Sequence, residues 1–268
     1  MKYLLAIFLL LLLAGSAFGG MHVVTSLPYS IGESSHSADA VDTIEIAGTK
    51  LSSGTNGIKL YGEYHDPIRD WVINLGTDTI EFASDSLGVA LRDGVNHSQY
   101  NYGLLIQGHV GSPTDPDWLY SQNIKVEGGT IICTPHNRAD SLCSFNNTCL
   151  AIAAEDVYVH NTNLIADGFN GKCLSGTGTD DAGRYNIEID GGTYTSRVTH
   201  FKSRCQFDAA MVKFNYPFDT AVGNLMGYTY NAIIHNVTII GAPHAGIRVD
   251  GGTGSQWEFI RYMIVIYR

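Results

Sequence analysis

The residues best suited to chemistry gather in the second half of the chain. Thr177-Gly178-Thr179-Asp180-Asp181-Ala182-Gly183-Arg184 sets two adjacent carboxylates in a glycine-rich turn. Such a pair can hold a hard cation, Ca2+ above all, or share a proton between them. An ordinary solvated turn has the same composition, since Asp and Gly both favour turns. Beyond it stand Arg197, His200, Lys202 and Arg204, the densest basic group in the chain. His200 can accept a proton near neutral pH, and Lys202 and Arg204 beside it would complete a catalytic set with Asp180 and Asp181. Arg184 and Arg197 can clamp a carboxylate in bidentate fashion. The competing reading is a solvated loop bordering Cys205. Trp118, Tyr120 and Phe201 belong to a group of aromatics in or beside the longest non-repetitive segments. They would either stack on sugar rings or fold inward and fill the loops.

Other chemistries are disfavoured. The ten histidines include no His-x-His or His-Glu-x-x-His pair, so a catalytic transition metal is not expected. The five cysteines, Cys133, Cys143, Cys149, Cys173 and Cys205, show no Cys-x-x-Cys spacing, which argues against a zinc site. Some of them are expected to be bridged if the chain is exported, and the odd count leaves at least one over.

What positions these groups is a repeat. Asn123-Ile124-Lys125-Val126-Glu127-Gly128-Gly129-Thr130 returns 63 residues later as Asn186-Ile187-Glu188-Ile189-Asp190-Gly191-Gly192-Thr193. A variant, Gly246-Ile247-Arg248-Val249-Asp250-Gly251-Gly252-Thr253, follows after 60 more. Each copy alternates apolar and polar residues and then turns on Gly-Gly, the pattern of a strand with one buried face. Spacings of 63 and 60 suggest units of roughly 20–21 residues, within the range of stacked repeats. The segment Asp156-Val157-Tyr158-Val159-His160-Asn161 fits between the first two copies. Asn236-Val237-Thr238-Ile239 comes too soon before the Gly246 phrase to share its face, so one of those two must belong to another sheet.

A second echo appears earlier. Asp42-Thr43-Ile44-Glu45-Ile46-Ala47 recurs as Asp78-Thr79-Ile80-Glu81-Phe82-Ala83, and the copies are followed by Gly57-Ile58-Lys59-Leu60 and Gly88-Val89-Ala90-Leu91. Further strands are expected over 102–107, 150–153, 157–160, 163–166 and 232–241, with insertions at 92–101, 109–121, 134–148 and 198–230. No convincing helical periodicity lies outside the N-terminal segment.

That segment is set apart by its pattern. Lys2, an apolar run from Leu4 to Ala14 and small residues at Gly15, Ser16, Ala17 and Gly19 have the form of a secretory signal. Residues 1–19 are therefore read as a signal peptide and 20–268 as one domain, with a secreted or cell-surface location. Loss of Lys2 takes the net charge from −10 to −11. A chain so acidic is not expected to bind nucleic acid or anionic membranes, nor to stay inserted once the signal is removed. The apolar end, Phe259 to Arg268, would either fold back as a cap or continue into a longer protein, the reading favoured here. Oligomeric state is left open.

The phrases Asn123-Ile124-Lys125-Val126-Glu127-Gly128-Gly129-Thr130-Ile131 and Asn236-Val237-Thr238-Ile239-Ile240-Gly241 resemble rungs of the right-handed parallel β-helix proteins, the pectin lyase-like superfamily of pectate lyases and polygalacturonases. The likeness runs over roughly residues 40 to 253. It implies an all-β, single-stranded right-handed β-solenoid with loop insertions, acting on extracellular polysaccharide. It also implies a lyase or glycoside hydrolase of acidic glycans, working on the outer face of the solenoid. The motifs of the hydrolase branch are not matched. Asn161-Thr162-Asn163 has Asn where Asn-Thr-Asp needs aspartate, Asp180-Asp181 matches only as a dipeptide, and Gly-His-Gly and Arg-Ile-Lys are missing. A non-catalytic surface or adhesive protein of the same fold is the alternative.

Overall fold

The computed structural model describes residues 20–31, 41–53, 57–61, 70–82, 89–92, 95–98, 101–107, 122–133, 147–169, 172–176, 184–200, 210–214, 229–241, 245–249, 261–262 and 265–267. The described secondary structure is all β, and the strands are parallel apart from one hairpin. Strands fall into three ladders that the chain visits in a fixed order. Glu155–His160 lies in the first ladder, Asn163–Phe169 in the second and Lys172–Gly176 in the third. The next circuit repeats the order with Arg184–Asp190, Thr193–His200 and Ala210–Phe214. Each strand pairs with its counterpart one circuit away. The first two ladders form one 13-stranded sheet, because the strands Val72–Phe82 and Gln122–Cys133 bend through both.

Alternation in the sequence explains which side chains enter the core. Ile44, Ile73, Val126, Val159, Ile189 and Ile234 occupy successive register positions of the first ladder, and all are buried. Leu51, Ile80, Ile131, Leu164, Tyr194 and Ile239 form the matching row of the second. Like stacks on like at the ~4.8 Å strand spacing, and each buried aliphatic contributes about 1.5–3 kcal/mol. β-Branched residues suit these rows because their stiff χ1 fits a pleated surface.

Corners are made by residues in the left-handed region. Asp70, Asn123, Asp156 and Asn186 hold φ between 50° and 59° at the entrance to the first ladder. Asn123 Nδ2 donates to Asp70 Oδ1 at 2.5 Å, and Asn186 Nδ2 to Asp156 Oδ1 at 2.7 Å. Asn and Asp tolerate this conformation because their short polar side chains bond locally. The corner side chains thus form mixed pairs, an amide of one circuit on a carboxylate of its neighbour. Between the first and second ladders stand Gly128-Gly129, Asn161, Gly191-Gly192 and Asn236, again at positive φ. A Cβ on Gly129 would collide with Leu75, which explains why glycine stands there.

Several sequence expectations are corrected. The 63-residue repeat is two circuits rather than three units, since Ile124 pairs with Val157, 33 residues on, and Val157 with Ile187, 30 further. Asp42–Ala47 and Asp78–Ala83 are not equivalent: Ile44 lies in the first ladder and Ile80 in the second. Val89–Arg92 does not repeat the role of Ile58–Tyr61 but pairs antiparallel with Val95–Ser98 as a hairpin. The expected strand over 232–241 is two strands, Thr229–His235 and Val237–Ile240, broken at Asn236, whose φ is 57°. Asn236 opens a second-ladder strand and Ala245–Val249 belongs to the third, so neither matches the Asn123 and Asn186 phrases.

Three cysteines meet inside. Cys149 and Cys173 fall opposite one another in the third ladder, and both are buried free thiols, as is Cys133. Cys149 Sγ donates to the carbonyl of Ile165 at 3.2 Å, and Cys173 Sγ to that of Leu164 at 3.4 Å. Burial pushes both thiols well above their ordinary range. The expectation of bridged cysteines is not met by these three; Cys143 and Cys205 lie outside the described residues.

Candidate functional site

The outward positions of the first ladder carry the densest reactive chemistry among the described residues. Inward Ile124 and Val126, Val157 and Val159, Ile187 and Ile189, and Ala232 and Ile234 fix the opposite parity for their neighbours. Two exterior columns result. One runs Lys125, Tyr158, Glu188 and Ile233; the other runs Glu127, His160, Asp190 and His235. In the second column acid and imidazole alternate from strand to strand.

Asp190 is its centre. Its Oδ1 accepts a hydrogen bond from Asn236 Nδ2 at 2.8 Å, and His235 Nδ1 lies 3.6 Å from the same oxygen. His160 Nε2 lies 3.8 Å from Oδ2. The carboxylate therefore sits between two imidazoles, one on each neighbouring strand. His235 is held from its other side, because its Nε2 donates to Glu188 Oε1 at 3.0 Å. His160 Nε2 pairs with Asn161 Nδ2 at 3.0 Å, which makes that nitrogen the acceptor in neutral imidazole. Protonation would turn Nε2 into a donor facing Asp190, so the base has a countercharge in place.

Tyr158 completes the group. Its ring stacks on His160 with centroids 5.7 Å apart and planes 24° from parallel. Desolvation raises the phenol above its ordinary range, reinforced by the charges of Asp190 and Glu188, a hydrogen bond to Asp190, and Glu127. A phenol kept neutral in this way is a proton donor beside a potential base. Exposure separates the two imidazoles: the side chain of His160 is 40% exposed and that of His235 18%. His160 can reach a bound molecule, while His235 accepts at Nδ1 from the Asn236 amide, 3.4 Å away, which itself donates to Asp190.

Of the residues singled out from sequence, Arg184, Arg197 and His200 are among the described residues. Asp180, Asp181, Phe201, Lys202, Arg204, Trp118 and Tyr120 lie outside the described residues. Arg184 opens the strand that ends at Asp190, opposite Thr229, and His200 closes a second-ladder strand opposite Phe169. Arg197 is exposed on that same strand, in register with Asp167. The described first-ladder columns bring none of these together. Among the described residues, no group of three or more His, Cys, Asp or Glu side chains is arranged to hold a metal ion.

Tyr158, His160, Glu188, Asp190 and His235 were not picked out by sequence motifs, because no short motif contains them. A signal did exist: aligning the Asn123, Asp156 and Asn186 phrases puts Glu127, His160 and Asp190 in one column. His235 escaped because Asn236 looked like the start of an equivalent strand.

No family model matches this chain, and no curated protein matches it. Among solved structures, it shows a weak likeness to the pectin methylesterase of Aspergillus niger, at 13% identity and a TM-score of 0.19, covering 91% of this chain and 86% of that one. No helix among the described residues is long and apolar enough to cross a membrane.

Proposed function

We propose that this chain is a secreted or cell-surface protein that binds and cleaves extracellular polysaccharide through the exterior columns of its first ladder. The observation that carries the reading is Asp190, set between His160 and His235, with Tyr158 stacked on His160 beside it. An imidazole backed by a carboxylate can take a proton, and a neutral phenol can give one. Lyase chemistry needs a base for a sugar C–H and an acid for the leaving oxygen; hydrolysis needs an acid and a base for water. His160 is the base in this assignment, Tyr158 the acid, and Asp190 the group that stabilises the imidazolium.

The wider architecture is inferred to be one right-handed solenoid. Parallel strands of one ladder joined by a crossover are right-handed in nearly all sheets, and every circuit here is such a crossover. The signal-like segment at residues 1–19 supports export. Ca2+ binding by Asp180 and Asp181 is retained as a proposal for the turn before Arg184.

The test is a degradation panel on the folded, signal-free chain, with His160→Gln and Asp190→Asn variants, run with calcium and with a chelator. Unsaturated ends indicate a lyase, and new reducing ends without unsaturation a hydrolase. Undiminished turnover in both variants would remove the assignment. No product on any glycan would move the chain to the alternative, a non-catalytic surface protein.

A further inference from the structure

The charge around the site restricts what it can accept. Glu127 projects outward from Gln122–Cys133 and Glu188 and Asp190 from Arg184–Asp190, two strands on in the first ladder, and Asp156 is exposed where the strand between them begins. Against them the same columns present one ammonium group, Lys125. Two guanidinium-bearing residues share the ladder but stand off from these carboxylates: Arg184 opens the strand that ends at Asp190, and Arg261 is in register with Ile233, two strands beyond Glu188. Arg197 lies on the second ladder, beyond the Gly191-Gly192 corner, and Lys202 and Arg204 lie outside the described residues. Desolvation, and after it the charges of Asp190, Glu188 and Glu127, hold the Tyr158 phenol above its ordinary range, in keeping with the carboxylates grouped around the ring. A uronate brought there would meet like charge, and an ammonium group would meet opposite charge.

We infer that the polymer engaged by this face is a glycan of amino sugars carrying free ammonium groups, not a uronate polymer. The inference rests on the reading of these columns as a polysaccharide site, and it reaches beyond that reading to the sign of the substrate. Glu188 and Glu127 would pair with ammonium groups, while the stacked Tyr158 and His160 rings would take an apolar sugar face. Alternating acid and imidazole at strand spacing suits a polymer with a repeating positive charge.

Calorimetric titration of the full signal-free chain tests this with three probes: a glucosamine oligomer, its N-acetylated counterpart and a galacturonate oligomer. The glucosamine oligomer should bind about tenfold more tightly than either of the others at low salt, with the preference shrinking as salt rises. Glu188→Gln and Glu127→Gln should each erode that preference, and Glu81→Gln on the second ladder should leave it unchanged. Equal or tighter binding of the galacturonate oligomer overturns the inference, as does a preference indifferent to both substitutions, or binding of none of the three. Cleavage is scored separately. A glucosamine polymer bound selectively but never cut would sink the catalytic reading and leave the charge selectivity standing.

Discussion

His235 Nε2 donates to Glu188 Oε1 at 3.0 Å, a diagonal contact between neighbouring strands of the first ladder. The bond fixes the neutral imidazole in the Nε2–H tautomer and leaves Nδ1 an acceptor, 3.4 Å from the Asn236 amide that also donates to Asp190. Glu188 is thereby a positioning residue for the acid–base group as well as part of its charge. Glu188→Ala should lower turnover on the order of tenfold, the loss of one charge-assisted hydrogen bond. Glu188→Gln, which keeps an acceptor oxygen, should recover most of it. Equal turnover in the two variants would show that orientation of His235 does not matter.

His160→Gln removes the exposed base and should reduce kcat by about 10²–10⁴-fold, with stability changed by no more than ~0.5 kcal/mol at a surface position. A pH–rate profile of the parent should show a basic limb from the phenol, lying above the ordinary tyrosine range because burial and neighbouring carboxylates raise Tyr158. Tyr158→Phe should abolish that limb. Its persistence would assign the limb to another group.

Tyr194 is fully buried in the second-ladder row, and its hydroxyl has no hydrogen-bond partner among the described residues. Replacing it with Phe keeps the ring and removes the orphan group, so Tyr194→Phe should stabilise the fold by about 1 kcal/mol, or ~2–4 °C in Tm. The sign with pH follows from the same burial. Desolvation raises the folded phenol far above its unfolded value, so the native state holds its proton while the unfolded chain releases it. That contribution is intact below about pH 10 and is lost as pH rises further. Melting curves in alkaline buffer should fall less steeply for Tyr194→Phe than for the parent.

Corners offer a paired test. Gly48 and Gly129 both have positive φ, but a Cβ on Gly48 meets nothing within 4 Å whereas one on Gly129 overlaps Leu75. Gly48→Ala should cost about 1 kcal/mol for the conformation alone, and Gly129→Ala about 3 kcal/mol once the clash is added. Equal costs would mean that the Leu75 contact is relieved by backbone movement.

Asn186 provides the complementary case. Asn186→Ala loses both the tolerance for positive φ and the hydrogen bond to Asp156, and should destabilise by about 2 kcal/mol. Asn186→Gly keeps the first and loses only the second, so it should cost less than the alanine variant in chemical denaturation. Equal costs would show that the hydrogen bond, lost in both variants, dominates.

The all-β character and the ladder phrases were legible because alternation is local. Ile124, Lys125, Val126 and Glu127 declare an inside and an outside within four residues. Which ladder a phrase joins was not legible. Asn at positive φ suits more than one kind of corner: Asn186 enters the first ladder and Asn236 the second, with the same residue type and nearly the same φ. The site was hidden for a related reason. Glu127, His160, Asp190 and His235 are ordinary outward strand residues, and only pairing across 30 to 45 residues brings them into a column.

Parallel pairing with the neighbouring circuit also bears on how such a surface changes over generations. Contacts in each ladder run chiefly to the strand before and the strand after. Lengthening a connection, as between Cys133 and Asn147, leaves the paired registers intact, whereas duplicating or deleting a whole circuit moves every later row by one step. The alternation of acid and imidazole is therefore open to editing one row at a time, and a longer relative of this chain could acquire an extra acid–imidazole pair by copying a single circuit.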